Sequence, residues 1–204
     1  MTDLPLIPLP PSSPPDPGFV VLGRFQPFHR GHALMLREAE KCRKVNYPNL
    51  KLIIAVGSSN RPETLKNPWS ASERIAMISS WLDNEAKFDA IVVAIPDIED
   101  PPNWVSHAEK YHGTSGIFFS SDSSSCDLYN NSGWSIISMP LLQRDDYEGW
   151  RVRETARMLS TIHDKNAIDT VLGVSTPQSV IDYLFSNDCL KRLAFLGEGG
   201  EPVG

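Results

Sequence analysis

Two histidines three residues apart, His29 and His32, lie in the run Gly23-Arg24-Phe25-Gln26-Pro27-Phe28-His29-Arg30-Gly31-His32. The run follows a short apolar segment ending at Leu22 and passes directly into a helical pattern. A helix start of this kind is an anion site, because its free backbone N–H groups and its dipole both face the preceding loop. Gly23 allows backbone to approach a ligand closely, and Gly31 allows the chain to tighten into the helix. Both imidazoles can point at one anion, and Arg24 adds a fork of donors matched to phosphate oxygens. The chemistry expected is recognition and charge stabilisation of a phosphate-bearing ligand.

Such a loop needs a parallel sheet behind it, since ligands of open parallel sheets bind beyond the carboxyl ends of the strands. From Gly18 onward, short β-branched runs alternate with longer helical patterns, which predicts an α/β fold: a doubly wound, Rossmann-like parallel sheet with helices on both faces. Strands are predicted over 19–22, 52–56, 90–95, 116–119 and 135–138. Helices are predicted over 32–45, where Leu36, Ala39 and Cys42 recur near 3.6 spacing, and over 70–82, opened by the capping box Ser70-Ala71-Ser72-Glu73. Others cover 103–111 and 149–160, and a last one starts with Pro177 in its first turn and runs to Phe185. The serine tract 120–125 is too short for a linker. The expected organisation is one domain over 18–204, with a helical segment at about 161–196, behind a flexible proline-rich tail at 1–17.

The 204 residues are 41% hydrophobic and 22% charged, enough for one full core, and the net charge of −6 argues against non-specific attraction to nucleic acid or an anionic membrane. An anionic substrate must then be held by a local cluster of cations. Cys42, Cys126 and Cys189 are odd in number and far apart, which suggests neither a disulfide framework nor a zinc site. No further His or Cys stands at ligand spacing near the histidine pair, so a zinc reading fails. His107 and His112, on a predicted helix or its end, are expected at the surface. The first eighteen residues carry seven prolines and no basic stretch followed by an apolar run, unlike a secretory signal. No segment approaches the apolar length that spans a bilayer, so the chain is placed in the cytoplasm.

These residues resemble the H-x-G-H nucleotidylyltransferases, and within them the archaeal-type nicotinamide-mononucleotide adenylyltransferases. The run 23–32 is similar to that group's first motif and Gly57-Ser58-Ser59-Asn60 to its turn after the second strand. Asn67-Pro68-Trp69-Ser70-Ala71-Ser72-Glu73-Arg74 is similar to its Asn-Pro-Phe-Thr-Ala-Gly-Glu-Arg run. Ile95-Pro96-Asp97-Ile98-Glu99 with Trp104, and Arg144-Asp145-x-Tyr147-x-Gly149 with Arg153, follow in order, so the resemblance covers about 19–160. It implies in-line attack by an acceptor phosphate on the α-phosphorus of ATP, with loss of pyrophosphate and no covalent enzyme intermediate. It further implies catalytic roles for His29, His32, Arg24 and Arg153, with Gly23, Phe25, Gly31, Ser120, Ser121 and Asp122 beside ATP. Ser58, Ser59, Asn60, Asp97, Ile98, Asn103 and Trp104 would form the acceptor pocket. Trp104 reads equally as a stacking residue or as helix packing, and Ser120 to Asp122 as nucleotide contacts or a plain polar loop.

A divalent cation, Mg²⁺, would accompany ATP, although no dedicated carboxylate cage is legible. The partners implied are ATP and a small phosphorylated acceptor, nicotinamide mononucleotide (NMN) or its acid form, with a homo-oligomer of unspecified size. Trp150 stands where the family usually carries Ser or Thr three residues before its arginine, and a slipped alignment would make Arg157 that arginine instead of Arg153. Prolines 101 and 102 stand where relatives carry a nicotinamide-reading amide, a role open to Asn103. The alternatives are an adenylyltransferase for FMN or phosphopantetheine and a catalytically weakened nucleotide-binding protein. A class I aminoacyl-tRNA synthetase is disfavoured by the lack of room for an anticodon-binding domain.

Overall fold

The structure, a computed structural model, describes residues 4–13, 15–61, 63–140 and 147–196. Its residues group into two compact units: 1–24, 34–61 and 87–142 form one, and 25–33, 62–86 and 143–204 the other.

The first unit is built on five strands: β1 (Gly18–Gly23), β2 (Lys51–Val56), β3 (Ile91–Ala94), β4 (Ile117–Ser120) and β5 (Ser135–Ser138). All pair in parallel in the order β3-β2-β1-β4-β5, with Val20 opposite both Ile53 and Phe118. The order reverses between β1 and β4, which makes their carboxyl ends the switch point of a doubly wound sheet. Helices cover both faces, and for that reason β1 and β2 are near-continuous apolar runs instead of alternating ones. On one face Val20, Ile53, Ala55 and Phe118 pack with Val105, Ala108 and Tyr111 of α3 (Trp104–His112) and Tyr129 of α4 (Ser123–Asn131). Phe19, Val21 and Ile54, one residue out of phase, are equally buried.

One expectation is corrected in this unit. His107 and His112 are buried, not on the surface. His107 Nε2 donates to the Pro96 carbonyl at 2.9 Å. His112 Nδ1 donates to the Gly113 carbonyl at 2.9 Å, which leaves its Nε2 to accept from the Tyr129 hydroxyl at 2.7 Å. Helical spacing cannot reveal such partners, which arrive from other elements. The serine tract opens a helix: Asp122 accepts from the Ser125 N–H and caps α4, compensating for the poor helix propensity of three serines.

Within the same unit, the amino-terminal segment lies along β2 and β3. Tyr111 donates to the Pro8 carbonyl at 2.9 Å and Ser59 Oγ to the Ile7 carbonyl at 3.0 Å.

The second unit contains α2 (Ala71–Trp81), α5 (Gly149–Met158), α6 (Lys165–Leu172) and α7 (Gln178–Ser186). Ser70 caps α2 with both bonds of the predicted capping box. Pro177 takes the N-cap position of α7 and not the first helical turn, and Gln178 begins the helix. α6 lies within the helical segment expected at about 161–196: Asp164 caps it through the Asn166 N–H, and Ile168 and Leu172, four residues apart, are its buried pair. The chain passes between the units within α1 (Arg30–Asn46), whose first turn belongs to the second unit and whose remainder belongs to the first.

Candidate active site

In the second unit the chain 25–33 brings His29 and His32 into a stack, ring centroids 3.6 Å apart. The His29 backbone N–H donates to His32 Nδ1 at 3.3 Å, so neutral His32 carries its proton on Nε2 and offers that atom as a donor. Behind the pair, Phe25 packs edge-on to His32 at 4.8 Å, and Phe28 rests on Trp81 at 4.9 Å. Phe25 is buried and holds φ 50, an uncommon backbone for a residue with a side chain. This packing sets the electrostatics. Burial, with Arg153 second, lowers the His29 pKa to about 4. Burial, with His29 second, holds His32 well below its ordinary value. Both rings are therefore neutral at pH 7 in the free protein.

Arg153, from the second turn of α5, donates from Nη1 to the Gln26 carbonyl at 2.7 Å. A Cβ added to Gly149, the first residue of α5, would lie 3.5 Å from Arg153 Nη1 and 3.7 Å from His29 Nε2. The start of α5, the arginine and the histidine thus converge on one spot. A Cβ on Gly31 would come within 2.9 Å of Tyr147 Cβ and 3.1 Å of the His29 ring, so the histidine lies directly over that glycine. Among the described residues His29 Nδ1 has no hydrogen-bond partner. The geometry separates the two candidate arginines: Arg153 stands beside His29, whereas Arg157 is exposed and paired with Glu154. Trp150 is 54% exposed and its N–H is taken by Glu148, so it does not stand in for the missing hydroxyl. Arg144 and Asp145 lie outside the described residues.

In the first unit the remaining candidates collect at the carboxyl ends of the strands. Gly23 ends β1 and accepts from the Gly57 N–H at 2.9 Å, and Arg24 follows it, exposed. Ser58 (φ 52) and Ser59 follow β2, and Ser120 ends β4 with its hydroxyl accepting from the Asp122 N–H at 3.1 Å. Ser121 is half-buried. The side chain of Asn60 is fully engaged. It donates to the Asp97 carbonyl at 2.9 Å and accepts from the Asp97 N–H at 2.7 Å, bracing the turn after β3. Arg61, absent from the sequence-based candidates, clamps the same turn through Asp97 at 2.7 Å and Glu99 at 2.8 Å. A lone arginine after a glycine-serine turn carried no signal of its own. Its partners lie 36 and 38 residues away. Ile98 is half-buried, and Asn103 donates its amide to Asp100 at 2.8 Å. Trp104 is half-buried against the core cluster and His107, so part of its surface serves packing. Among the described residues no group of three metal-ligating side chains gathers, and no helix is long and apolar enough to cross a membrane.

Residues 20–131, from β1 through α4, match the cytidylyltransferase-like family. A nicotinamide-nucleotide adenylyltransferase of Picrophilus torridus is 34% identical over 133 residues, covering 65% of this chain and 75% of that protein. One from Methanococcus aeolicus is 31% identical over 174 residues, covering 85% and 93%. Among solved structures, a bifunctional NMN adenylyltransferase/ADP ribose pyrophosphatase from Francisella tularensis, complexed with AMP and a manganese ion, is similar in fold, with a TM-score of 0.54 at 21% identity. It is matched over 89% of this chain and 56% of its own, so the present chain spans about half of that bifunctional protein. A parallel sheet ordered 3-2-1-4-5, a stacked histidine pair at the start of its first helix and relatives of this identity carry one conclusion: the chain belongs to the cytidylyltransferase-like family, and within it to the nicotinamide-nucleotide adenylyltransferases.

Proposed function

We propose that the protein transfers AMP from ATP to NMN or nicotinate mononucleotide, giving the dinucleotide and pyrophosphate. The observation that carries this reading is the stacked pair His29 and His32 with Arg153 alongside, the histidines lying in the stretch that matches the cytidylyltransferase-like family. The acceptor's phosphate oxygen attacks the α-phosphorus of ATP, the bond to the β-phosphate's bridging oxygen breaks, and pyrophosphate leaves with that electron pair. No residue forms a covalent bond in the sequence. The protein positions the reactants and stabilises charge.

In this reading His32 donates from Nε2 to the reacting α-phosphate or the bridging oxygen, and His29 supports the β- and γ-phosphates. Neutral imidazoles serve as donors here, while Arg153 and Arg24 supply fixed positive charge. The loss of one such donor costs on the order of 3 kcal/mol in the transition state, about a hundredfold in rate. Mg²⁺ enters as part of the nucleotide substrate, chelated by the triphosphate. Ser58, Ser59 and Trp104 face the acceptor, with Asn60 and Arg61 bracing the turn at Asp97 and Ile98. Ser120, Ser121 and Asp122 border the nucleotide.

The test is pyrophosphate release from ATP and Mg²⁺ with NMN, nicotinate mononucleotide, FMN and phosphopantetheine, products being identified by mass. The expected product is a pyridine dinucleotide. Turnover with FMN or phosphopantetheine alone would reassign the acceptor, and ATP binding without any product would leave a nucleotide-binding protein.

A further inference from the structure

Gln26 occupies a position that the reaction scheme leaves without a task. Its side chain is 4% exposed, and both ends of its amide are spent on one backbone unit: Nε2 donates to the Trp69 carbonyl at 2.7 Å, and Oε1 accepts from the Trp69 N–H at 3.1 Å. Trp69 is itself immobilised. Its indole N–H donates to the Cys189 carbonyl at 3.3 Å, it is 1% exposed, and it immediately precedes the N-cap of α2. One residue before it, the Pro68 carbonyl accepts from Arg192, which also forms a two-pronged pair with Glu73 at 2.8 and 2.7 Å. The backbone carbonyl of Gln26, aimed by this double bond, receives Arg153 Nη1 at 2.7 Å. Three residues further along the chain is His29.

The geometry points to Gln26 as a positioning residue for adenylyl transfer: its amide registers the histidine loop against Trp69, and its carbonyl holds the Arg153 guanidinium beside His29. This rests on the catalytic reading given above and deepens it. A two-way amide pairing fixes both position and rotation, because an amide has one donor end and one acceptor end and Trp69 presents the complementary set. Loss of the pairing leaves a buried carbonyl and a buried N–H without partners. The carbonyl that receives Arg153 is then no longer aimed, and the guanidinium shifts with it relative to the ring. A shift of that kind acts on rate more than on ground-state binding, since the charges remain present but misplaced.

The test compares Gln26→Glu and Gln26→Met with the wild-type protein. An ionised glutamate sets a carboxylate oxygen against the Trp69 carbonyl, whereas a protonated one restores both bonds, its O–H donating and its other oxygen accepting. At pH 8 the expected kcat of Q26E is lower by about 30-fold or more with KM for ATP changed by less than about threefold. As the pH falls to 6, the Q26E rate recovers by about tenfold relative to wild type, because a buried carboxyl facing a carbonyl protonates readily. Q26M shows the loss at pH 8 without the acid recovery. A merely structural role predicts lowered Tm with the wild-type pH profile. Wild-type kcat in Q26E at pH 8, or a loss that does not respond to pH, overturns the inference.

A second readout needs no turnover. In Q26M the Gln26 backbone carbonyl loses its aim and Arg153 shifts with it relative to His29, so the His29 ring, followed by NMR, titrates higher than in the wild type. An unchanged titration rejects the role, even if Q26E proves too unstable to assay. If the wild-type protein makes no dinucleotide, the catalytic reading fails by itself, and the His29 titration still decides whether Gln26 places Arg153.

Discussion

Gly31→Ala inserts a single methyl group where the structure has no room for one. The new Cβ would lie 2.9 Å from Tyr147 Cβ and 3.1 Å from both Cε1 and Nδ1 of His29, against an ordinary carbon contact of about 3.5–4.0 Å. Something must yield by roughly 0.5–1 Å, and His29 is already stacked on His32 at 3.6 Å. Overpacking of this kind costs about 1–3 kcal/mol, and the better helix propensity of alanine returns up to about 1 kcal/mol of it. The net cost to stability is then about 0–2 kcal/mol, a Tm lower by up to about 8 °C. Activity responds differently, because a 1 Å displacement of a group that positions a reactant costs about a hundredfold. The expected result is kcat for dinucleotide formation reduced by about 10- to 100-fold in a protein that still unfolds cooperatively within about 8 °C of the wild-type temperature. Steady-state kinetics beside calorimetry checks both halves. A kcat within about twofold of wild type would falsify the claim that the His29 position over Gly31 matters to the chemistry.

His32→Ala removes both a donor and a ring stacked on His29 and edged by Phe25, so turnover should fall at least about a hundredfold in a protein that still folds, with some loss of Tm; near-normal turnover rejects the assigned role. Stability should decline as pH falls from about 6.5 towards 4. The unfolded chain takes up protons on histidines that the folded protein holds neutral, and the stability present above the unfolded value is lost on the way down. His112, buried and held at about 4 chiefly by desolvation, contributes about 3 kcal/mol of this at 1.36 kcal/mol per pH unit. Urea unfolding at pH 7 and pH 4.5 should give a smaller difference for His112→Gln than for wild type, and equal differences refute the assignment. Trp104→Ala should raise KM for the mononucleotide more than for ATP. Equal rises would mark Trp104 as packing alone.

The periodic part of the fold was legible before any coordinates. All five strands and the helices opening near 32, 70, 103 and 149 follow from local signals: β-branched runs, 3.6 spacing and the Ser70 capping box, each of which acts within a few residues. The α4 helix was not legible, because its core is short and its cap, Asp122, precedes three serines. The histidine motif was likewise visible as residues at a fixed spacing. What the spacing could not express was how its members are held.

The linear order determined that a strand, a glycine-bearing loop and a helix start would come together with two histidines and an arginine, since neighbours in the chain must be neighbours in space. Only the tertiary structure decided that Arg153 and not Arg157 stands beside His29, and that Asn60 spends its amide on the Asp97 backbone. It alone showed Arg61 clamping that turn and Gln26 paired with Trp69 across 43 residues. Each of these is a contact between distant segments whose partners are largely backbone carbonyls and N–H groups. Every residue carries those groups, so a sequence gives no sign of which one will be used.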